Sequence, residues 1–409
     1  MASSHGSSTA GTPAQFGTQR RAGRLGPLHI GHVVVIEVVA VALLGASAAD
    51  HGRPGLWVAL TGAGSALVLI AAFGRSRGRW WYEGRALRGR WRRRRRTVAR
   101  GTGLAVLGPG LAVREVVDRG TRIGVGQDED GWFAVLAVGR GSGVWGSSNG
   151  NGSGNGSGSG NGSGGIRLDR LAAVLTDAAV PVSSVSVVSQ CVPAPNAVLD
   201  RQSRAAQSYR KLLHNDLVLA DQAVWVAVRL SAADATDAAA SRGGGLDGVD
   251  RAIAAALGRV GKTLAAADLS TRVLDPGALT DALATSSGLA GGGSPPGAEE
   301  WTAWYAGGIG NVGFWLTRWP KGPVTELFGA LTRVPAALVS IAVTLYPPVA
   351  DGQLRVACLV RVAAEPNVLA KAAADVVAAA RQVGARLRRL DGEHGPATYA
   401  TLPTAAGTR

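Results

Sequence analysis

Two long apolar stretches near the start of the chain, followed at once by many arginines, constrain the fold more than any other feature. The first stretch runs over residues 30–49 and contains one acid, Glu37, and one histidine, His32. The second runs over residues 55–73 and contains no charged residue. A helix of this length rises about 30 Å, the thickness of a bilayer core. The pattern therefore predicts a transmembrane helical hairpin over residues 29–74.

The positive charge of the chain is concentrated beside these stretches. The first 100 residues hold 16 arginines, no lysine and three acids, a net charge of +13 out of +15 for the whole chain. The remaining 309 residues are nearly neutral. A nucleic-acid-binding domain is basic across its own binding face, so the total charge does not indicate a nucleic-acid partner.

The flanking charges also predict an orientation. Arginines precede the first stretch and follow the second, whereas the loop between them has one arginine and one aspartate. By the positive-inside rule, both termini and the globular part are cytoplasmic, and the chain is a multi-pass protein of the cytoplasmic membrane. Residues 1–28 are expected to be a disordered tail. A cleaved signal peptide ending near residues 46–48 and a buried helical pair are the alternatives.

We call residues 75–100 the arginine collar, since this segment has 12 arginines interleaved with aromatic residues. Next to a membrane span, such a segment fixes topology and binds anionic lipid headgroups, with about 1 kcal/mol per basic residue. Binding of RNA or DNA, or docking of a protein partner, are the alternatives. The candidate lipid contacts are Trp80, Trp81, Arg92, Arg93, Arg94, Arg95 and Arg96.

Three residues of the apolar stretches are candidates for packing inside the membrane. Glu37 either contacts a partner span or a polar lining, or is a protonated or snorkelling acid near the interface. Gly62 and Gly64 would let another helix approach closely.

The pattern over residues 101–405 predicts a cytoplasmic α/β (α+β) domain with a mixed sheet, into which residues 141–165 insert a flexible Gly/Ser/Asn segment. Apolar and β-branched runs predict strands. They lie at 111–117, 122–126, 132–138, 182–192, 223–230, 336–345 and 354–363, with a strand or hairpin at 301–319. Helices are predicted at 166–175, 198–214, 246–264, 274–283, 324–332 and 365–387.

Short motifs in this domain do not indicate a catalytic centre. Residues 258–263 resemble the end of a phosphate loop but lack its first glycine and follow a helical pattern. Residues 308–313 match the glycine spacing of a dinucleotide site but lead into an aromatic strand. The acids of residues 128–130 match a metal-binding D-x-D pattern, although a hairpin turn also favours aspartate. The six histidines and two cysteines are scattered, so no metal, cofactor or catalytic set is expected.

Several segments together resemble the EccE family, a membrane component of actinobacterial type VII (ESX) secretion systems. They comprise RLGPLHIGHVVVIEVV at 24–39, the second apolar stretch, GRWWYEGRALRGRWRRRRR at 78–96, DGWFAVLAVG at 130–139, VPVSSVSVVSQCVPAP at 180–195, WTAWYAGGIGNVGFWLTRWP at 301–320 and LRRLDGEHGPATYATLPTA at 387–405. The resemblance covers nearly the whole chain.

The resemblance implies a non-enzymatic, two-span subunit at the outer edge of a secretion pore. Its partners would be the other membrane components, including a subunit with several ATPase domains. It also implies a cytoplasmic domain with a glycosyltransferase-like fold that has lost its catalytic residues. The competing hypotheses are a membrane-anchored transferase that uses a nucleotide-sugar at residues 128–130, and a receptor for anionic lipid or RNA through the collar.

Overall fold

The computed structural model describes fourteen stretches of the chain. They are residues 24–25, 28–48, 59, 61–66, 68, 75–76, 79–98, 106–108, 110–139, 166–176, 182–194, 218–289, 298–348 and 354–407. Most of the predicted tail at 1–28 lies outside these residues, with only 24–25 and 28 described. The predicted insertion at 141–165 and the predicted helix at 198–214 also lie outside them. The chain divides into two compact units, one within residues 19–96 and one within residues 97–409.

The described part of the first unit contains two small antiparallel strand pairs, two long helices and a short stretch of helix at 59, 61–66 and 68. Strands β1 and β2 pair through Arg24–Leu25 and Leu28–His29, and β3 and β4 through Arg75–Ser76 and Arg79–Trp80. Each pair directly precedes a helix. Helix α1 covers Ile30–Ala48 and helix α2 covers Trp81–Val98.

The predicted transmembrane hairpin is wrong. Among the described residues, no helix has both the length and the apolar content needed to cross a membrane. The expectation of a multi-pass protein is therefore not supported.

The second unit is built on a twelve-stranded sheet. Its main path runs β11-β12-β13-β15-β14-β8-β9-β7-β6-β5, with β10 added to β7 and β16 added to β13. The strands are β5 Ala112–Asp118, β6 Thr121–Asp128, β7 Gly131–Val138, β8 Ser184–Ala194, β9 Val218–Ser231, β10 Thr271–Val273, β11 Ala298–Glu299, β12 Trp304–Ala306, β13 Ile309–Arg318, β14 Leu338–Tyr346, β15 Arg355–Ala364 and β16 Arg386–Arg389.

Every pairing between the described strands of this sheet is antiparallel. The expected mixed sheet with a glycosyltransferase-like fold is therefore wrong, and the fold class is α+β. Parallel neighbours need long crossover connections, whereas this sheet is assembled largely from hairpins such as β6–β7 and β12–β13.

Seven helices are described in this unit. They are α3 Leu168–Thr176, α4 Ala232–Ala240, α5 Gly245–Ala265, α6 Pro276–Ser287, α7 Val324–Thr332, α8 Pro366–Gln382 and α9 His394–Ala400. Helix α6 shows how the sequence sets its ends. The Asp275 side chain accepts from the backbone N–H of Ala278 at 2.9 Å, Pro276 opens the first turn, and Gly288 ends the helix in the left-handed conformation. These are the preferred residues at such positions.

The central strands bury side chains on both faces because successive residues point to opposite sides. On one face, β9 contributes Val224, Val226 and Val228 to a large apolar core that also includes residues of α3, α4, α5, α7 and α8. We call this the helix-covered face. The other face is covered by residues 106–111, α6 and residues 394–407. We call it the tail-covered face, and residues 394–407 the C-terminal segment.

Candidate functional site

The predicted lipid-contact residues belong to one short part of the first unit. Trp80 ends β4 and Trp81 begins α2, but their side chains lie outside the described set. The five arginines at 92–96 occupy the last turns of α2, and all except Arg94 are exposed. The guanidinium of Arg95 lies 5.6 Å from the centre of the Trp91 ring. The helix therefore presents a dense cationic surface.

The candidates for packing inside a membrane are not brought together by any described contact. Glu37 is exposed on α1. A Cβ added at Gly62 or Gly64 would meet no described atom within 4 Å. These three residues supported a membrane hairpin that is not found among the described residues, and we assign them no role.

The acids at residues 128–130 lie in the turn between β6 and β7. The Asp128 carboxylate accepts from the backbone N–H groups of Asp130 at 2.9 Å and Gly131 at 3.0 Å, a turn that aspartate side chains commonly stabilise. Gly131 has φ +144°, and a Cβ there would lie 2.1 Å from the carbonyl oxygen of Leu230. Local turn geometry therefore accounts for this part of the sequence.

Asp128 is also the centre of a buried polar network. Its carboxylate accepts from the Arg229 guanidinium and from the Tyr399 hydroxyl, so both of its oxygens are occupied. The side chains of Asp128 and Arg229 are each 6% exposed. Burial and the Asp128 charge raise the pKa of Tyr399, so Tyr399 remains a hydrogen-bond donor. A carboxylate that is buried and hydrogen-bonded at both oxygens is poorly placed to bind a divalent cation.

The two glycine-rich motifs serve structural purposes. Residues 258–263 lie inside α5, where no backbone N–H group is available to cradle a phosphate. In the motif at 308–313, Gly308 is in the turn between β12 and β13 with φ +79°, and Gly310 is packed under Tyr305 and Leu369. A Cβ at Gly310 would lie 2.4 Å from Leu369. Close packing and a tight turn explain these glycines.

The C-terminal segment is fastened to the sheet by side-chain hydrogen bonds. Three of its backbone carbonyl groups accept from side chains of central strands: Thr401 from Ser340 at 3.0 Å, Thr404 from Arg229 at 3.2 Å, and Ala405 from Ser184 at 2.7 Å. Unpaired buried polar groups are costly. The segment therefore completes the tail-covered face, because it supplies the hydrogen-bond acceptors that the buried serines and arginine of the sheet require.

Arg361 on β15 is a fully buried cation on this face. It donates from Nε to the Thr401 hydroxyl at 2.8 Å, from Nη1 to the Asn311 side chain at 2.7 Å, and from Nη2 to the Ser286 carbonyl at 2.7 Å. Burial lowers the pKa of Arg361 to about 9, so it stays charged at neutral pH. These neutral acceptors hold β13, β15, α6 and the C-terminal segment together around one charge.

His394 begins α9 and is also fully buried. Its Nδ1 accepts from the backbone N–H of Gly313 at 3.1 Å, and its Nε2 lies 3.6 Å from a carboxylate oxygen of Asp391. Burial lowers the pKa of His394, although the nearby Asp391 carboxylate opposes the shift. His394 therefore acts as a neutral acceptor that ties the start of the C-terminal segment to β13.

No cluster of metal-ligating side chains is found in the part of the chain that the structure describes. The thiols of Cys191 and Cys358 are buried, and burial raises their pKa to about 11 and about 12. They are therefore poor nucleophiles at neutral pH.

Comparison with known proteins supports the predicted resemblance. Residues 218–316 match the family model described as "Putative type VII ESX secretion system translocon, EccE". The match covers about a quarter of the chain, so the similarity to EccE is shown for this region. No curated protein matches the chain. The match supports a type VII secretion-associated subunit, and EccE is a family of secretion-system components.

The matched region runs from β9 through most of β13. It contains Arg229 and Asn311, which both take part in the buried contacts of the tail-covered face. Sequence reasoning did not assign a role to either residue, nor to Arg361. The sequence feature that could have indicated these residues is a charged or amide side chain within an otherwise apolar strand, such as Arg361 in β15.

An apolar pocket is a further candidate site in the part of the chain that the structure describes. Its volume is about 420 Å³, within the range of sites that hold ligand groups. It lies where the start of α3, the end of β13, the start of α7 and the start of β15 meet. Its lining is formed by Ile166, Leu168, Trp319, Pro320, Val324 and Phe328, together with Thr325 and Val356.

Proposed function

We propose that this chain is a non-enzymatic docking subunit of a type VII secretion complex at the cytoplasmic membrane. The family match supports the association with secretion. The observation that supports a non-enzymatic role concerns Asp128. Its carboxylate accepts hydrogen bonds from Arg229, Tyr399 and two backbone N–H groups. The acid that best fits a metal-dependent transferase is thus already used to stabilise the fold. The partners we propose are other type VII components, including the subunit with several ATPase domains.

Purification of the complex tests this proposal. A full-length tagged chain, expressed in its host at natural level and solubilised with mild detergent, should co-elute with other type VII components in size-exclusion chromatography. Recovery of the chain only as a free monomer, under conditions that keep the other components assembled, would contradict the proposal.

Calorimetry tests the non-enzymatic part separately. Titration of the full chain with a UDP-sugar and Mn²⁺ should release no binding heat, because Asp128 has no free oxygen. Binding heat that disappears in Asp128→Asn, while Glu129→Gln retains it, would favour the transferase instead. Glu129 is a suitable control because it is exposed in the same turn.

We also propose that α2 binds anionic lipid headgroups. The supporting observation is the exposure of seven arginines along one helix, namely Arg85, Arg88, Arg90, Arg92, Arg93, Arg95 and Arg96. The full chain should float with vesicles that contain phosphatidylglycerol and not with pure phosphatidylcholine vesicles. Replacement of the five arginines at 92–96 by glutamine should reduce this flotation severalfold, since each basic residue contributes about 1 kcal/mol. Unchanged flotation would reject the assignment.

A further inference from the structure

We propose that the apolar pocket beside α7 receives a large apolar side chain from an acidic segment of another subunit of the secretion complex. The proposal rests on the docking function above and names the surface and the chemistry of the partner. Three features of the pocket support it independently of one another: the composition of its walls, the charges at its rim, and the helix that opens into it.

The walls are suited to one buried anchor residue. Seven of the eight lining residues are apolar, and Thr325 is the exception. Sites for small molecules combine apolar walls with several placed polar groups that orient the ligand. Protein interfaces instead bury a large side chain in an apolar pocket and leave the polar groups at the rim. The lining therefore fits a protein segment better than a free metabolite.

The rim is basic. Arg318 and Lys321 adjoin the lining residues Trp319 and Pro320 in sequence and are exposed. Arg167 is also exposed next to the lining, but it bonds to Asp169 at 2.8 Å and is partly neutralised. Charge complementarity at a rim steers a partner of opposite sign and sets the salt dependence of binding.

The start of α7 adds a further preference for an anion. Its first two residues, Val324 and Thr325, line the pocket. The residue before them is Pro323, and no side chain caps this end of the helix. A helix N-terminus presents unpaired N–H groups and partial positive charge. The exposed acid Glu326 lies in the same turn and opposes an anion, so the basic side chains must outweigh it.

A labelled peptide provides the probe. We suggest a fluorescein-labelled peptide with one tryptophan between two groups of three glutamates, measured by fluorescence anisotropy with the full chain. Replacement of its tryptophan by alanine should weaken binding about tenfold, because burial of a large apolar side chain contributes this much or more. A version with lysines in place of glutamates should not bind.

Two variants of the chain locate the binding. Thr325→Trp should fill the pocket and weaken binding of the tryptophan peptide about tenfold, with little effect on binding of the alanine peptide. Arg318→Glu combined with Lys321→Glu should weaken binding of the tryptophan peptide about tenfold and remove most of the salt dependence of that binding. The matched control reverses two exposed cations outside the lining, Lys262→Glu with Arg272→Glu, and should have a much smaller effect.

The outcomes separate this inference from the docking function. Equal losses in the two double variants would show non-specific attraction to a basic chain and overturn the inference, as would equal affinity of the tryptophan and alanine peptides. Concentration-dependent self-association that is lost in Thr325→Trp would assign the pocket to a second copy and also overturn it. In either case, co-elution of the unmodified chain with the secretion complex would leave the docking function intact. The surface charge variants keep the test valid if Thr325→Trp fails to fold.

Discussion

The two faces of the large sheet are stabilised in different ways. The helix-covered face buries valine, isoleucine and leucine side chains against five helices, so that its cohesion comes mainly from apolar burial. The tail-covered face buries Asp128, Arg229 and Arg361, and its cover is partly a segment with little regular structure. Apolar burial tolerates small changes of shape, whereas buried charges require each partner in place. Substitutions on the two faces should therefore have different effects on unfolding.

The largest effect is expected from removal of the C-terminal segment. A chain that ends at residue 393 loses partners of Asp128, Arg229, Arg361, Ser184 and Ser340 at once. Each such loss costs about 1–3 kcal/mol, so we expect the second unit to lose cooperative unfolding, as measured by near-UV circular dichroism during heating. A chain that ends at residue 407 should behave like the full chain. Cooperative unfolding of the shorter chain would contradict our description of this face.

The next largest effect is expected from removal of a single buried charge, that of Asp128, on the tail-covered face. Asp128→Asn keeps the turn but leaves Arg229 buried without its anion, and should lower the free energy of unfolding by about 3 kcal/mol. Glu129→Gln should change it by less than about 0.5 kcal/mol. Urea unfolding measures both. If the two variants were equally stable, the Asp128–Arg229 pair would not support the fold as we describe.

Two leucines of α5, one buried and one exposed, test how much one side chain contributes to the free energy of unfolding on the helix-covered face. Leu257 is 1% exposed and Leu246 is 59% exposed on the same helix. Leu257→Ala should cost about 3 kcal/mol through lost burial and a cavity, and Leu246→Ala less than about 0.5 kcal/mol. We expect Leu257→Ala to keep native near-UV circular dichroism below its transition. If Leu257→Ala lost its native near-UV circular dichroism without denaturant, the two faces would not differ in their tolerance of a single substitution.

The smallest effect concerns pH. Because burial lowers the pKa of His394 in the folded state, the unfolded state takes up a proton before the folded state does as pH falls below the ordinary histidine pKa of about 6.5. The free energy of unfolding should therefore decrease between pH 7.5 and pH 5.5. His394→Asn retains an acceptor for the Gly313 N–H and should show a weaker pH dependence. An identical slope in both proteins would exclude His394 as the source.

Local patterns predicted the elements of the second unit well. The β-branched run at 182–192 and the helix at 324–332 correspond to β8 and α7, since each pattern matches the period of its element. The predicted helix at 365–387 is too long, because residues 386–389 pair with β13 as a short strand. Pairing with a distant strand overrides local periodicity there.

Two larger errors have different causes. The direction of strand pairing depends on how distant segments meet, so the local pattern could not distinguish a mixed sheet from an antiparallel one. The membrane hairpin was predicted from the length and composition of two stretches, whereas no described helix satisfies both criteria. The buried contacts of Arg361 were also inaccessible, because Asn311, Thr401 and Ser286 lie 40 to 75 positions away in sequence.

The attachment of residues 394–407 to central strands has a consequence for biosynthesis. Domains generally fold as units while the chain is still being made. Here one face of the sheet receives hydrogen-bond acceptors from the C-terminal segment, and Thr404 lies 175 positions after Arg229, whose guanidinium donates to it. Until the C-terminal segment has been made, Arg229 and Arg361 lack part of their native coordination. The tail-covered face therefore cannot be completed as its strands emerge, and the C-terminal segment becomes the part whose synthesis allows the domain to reach the native state.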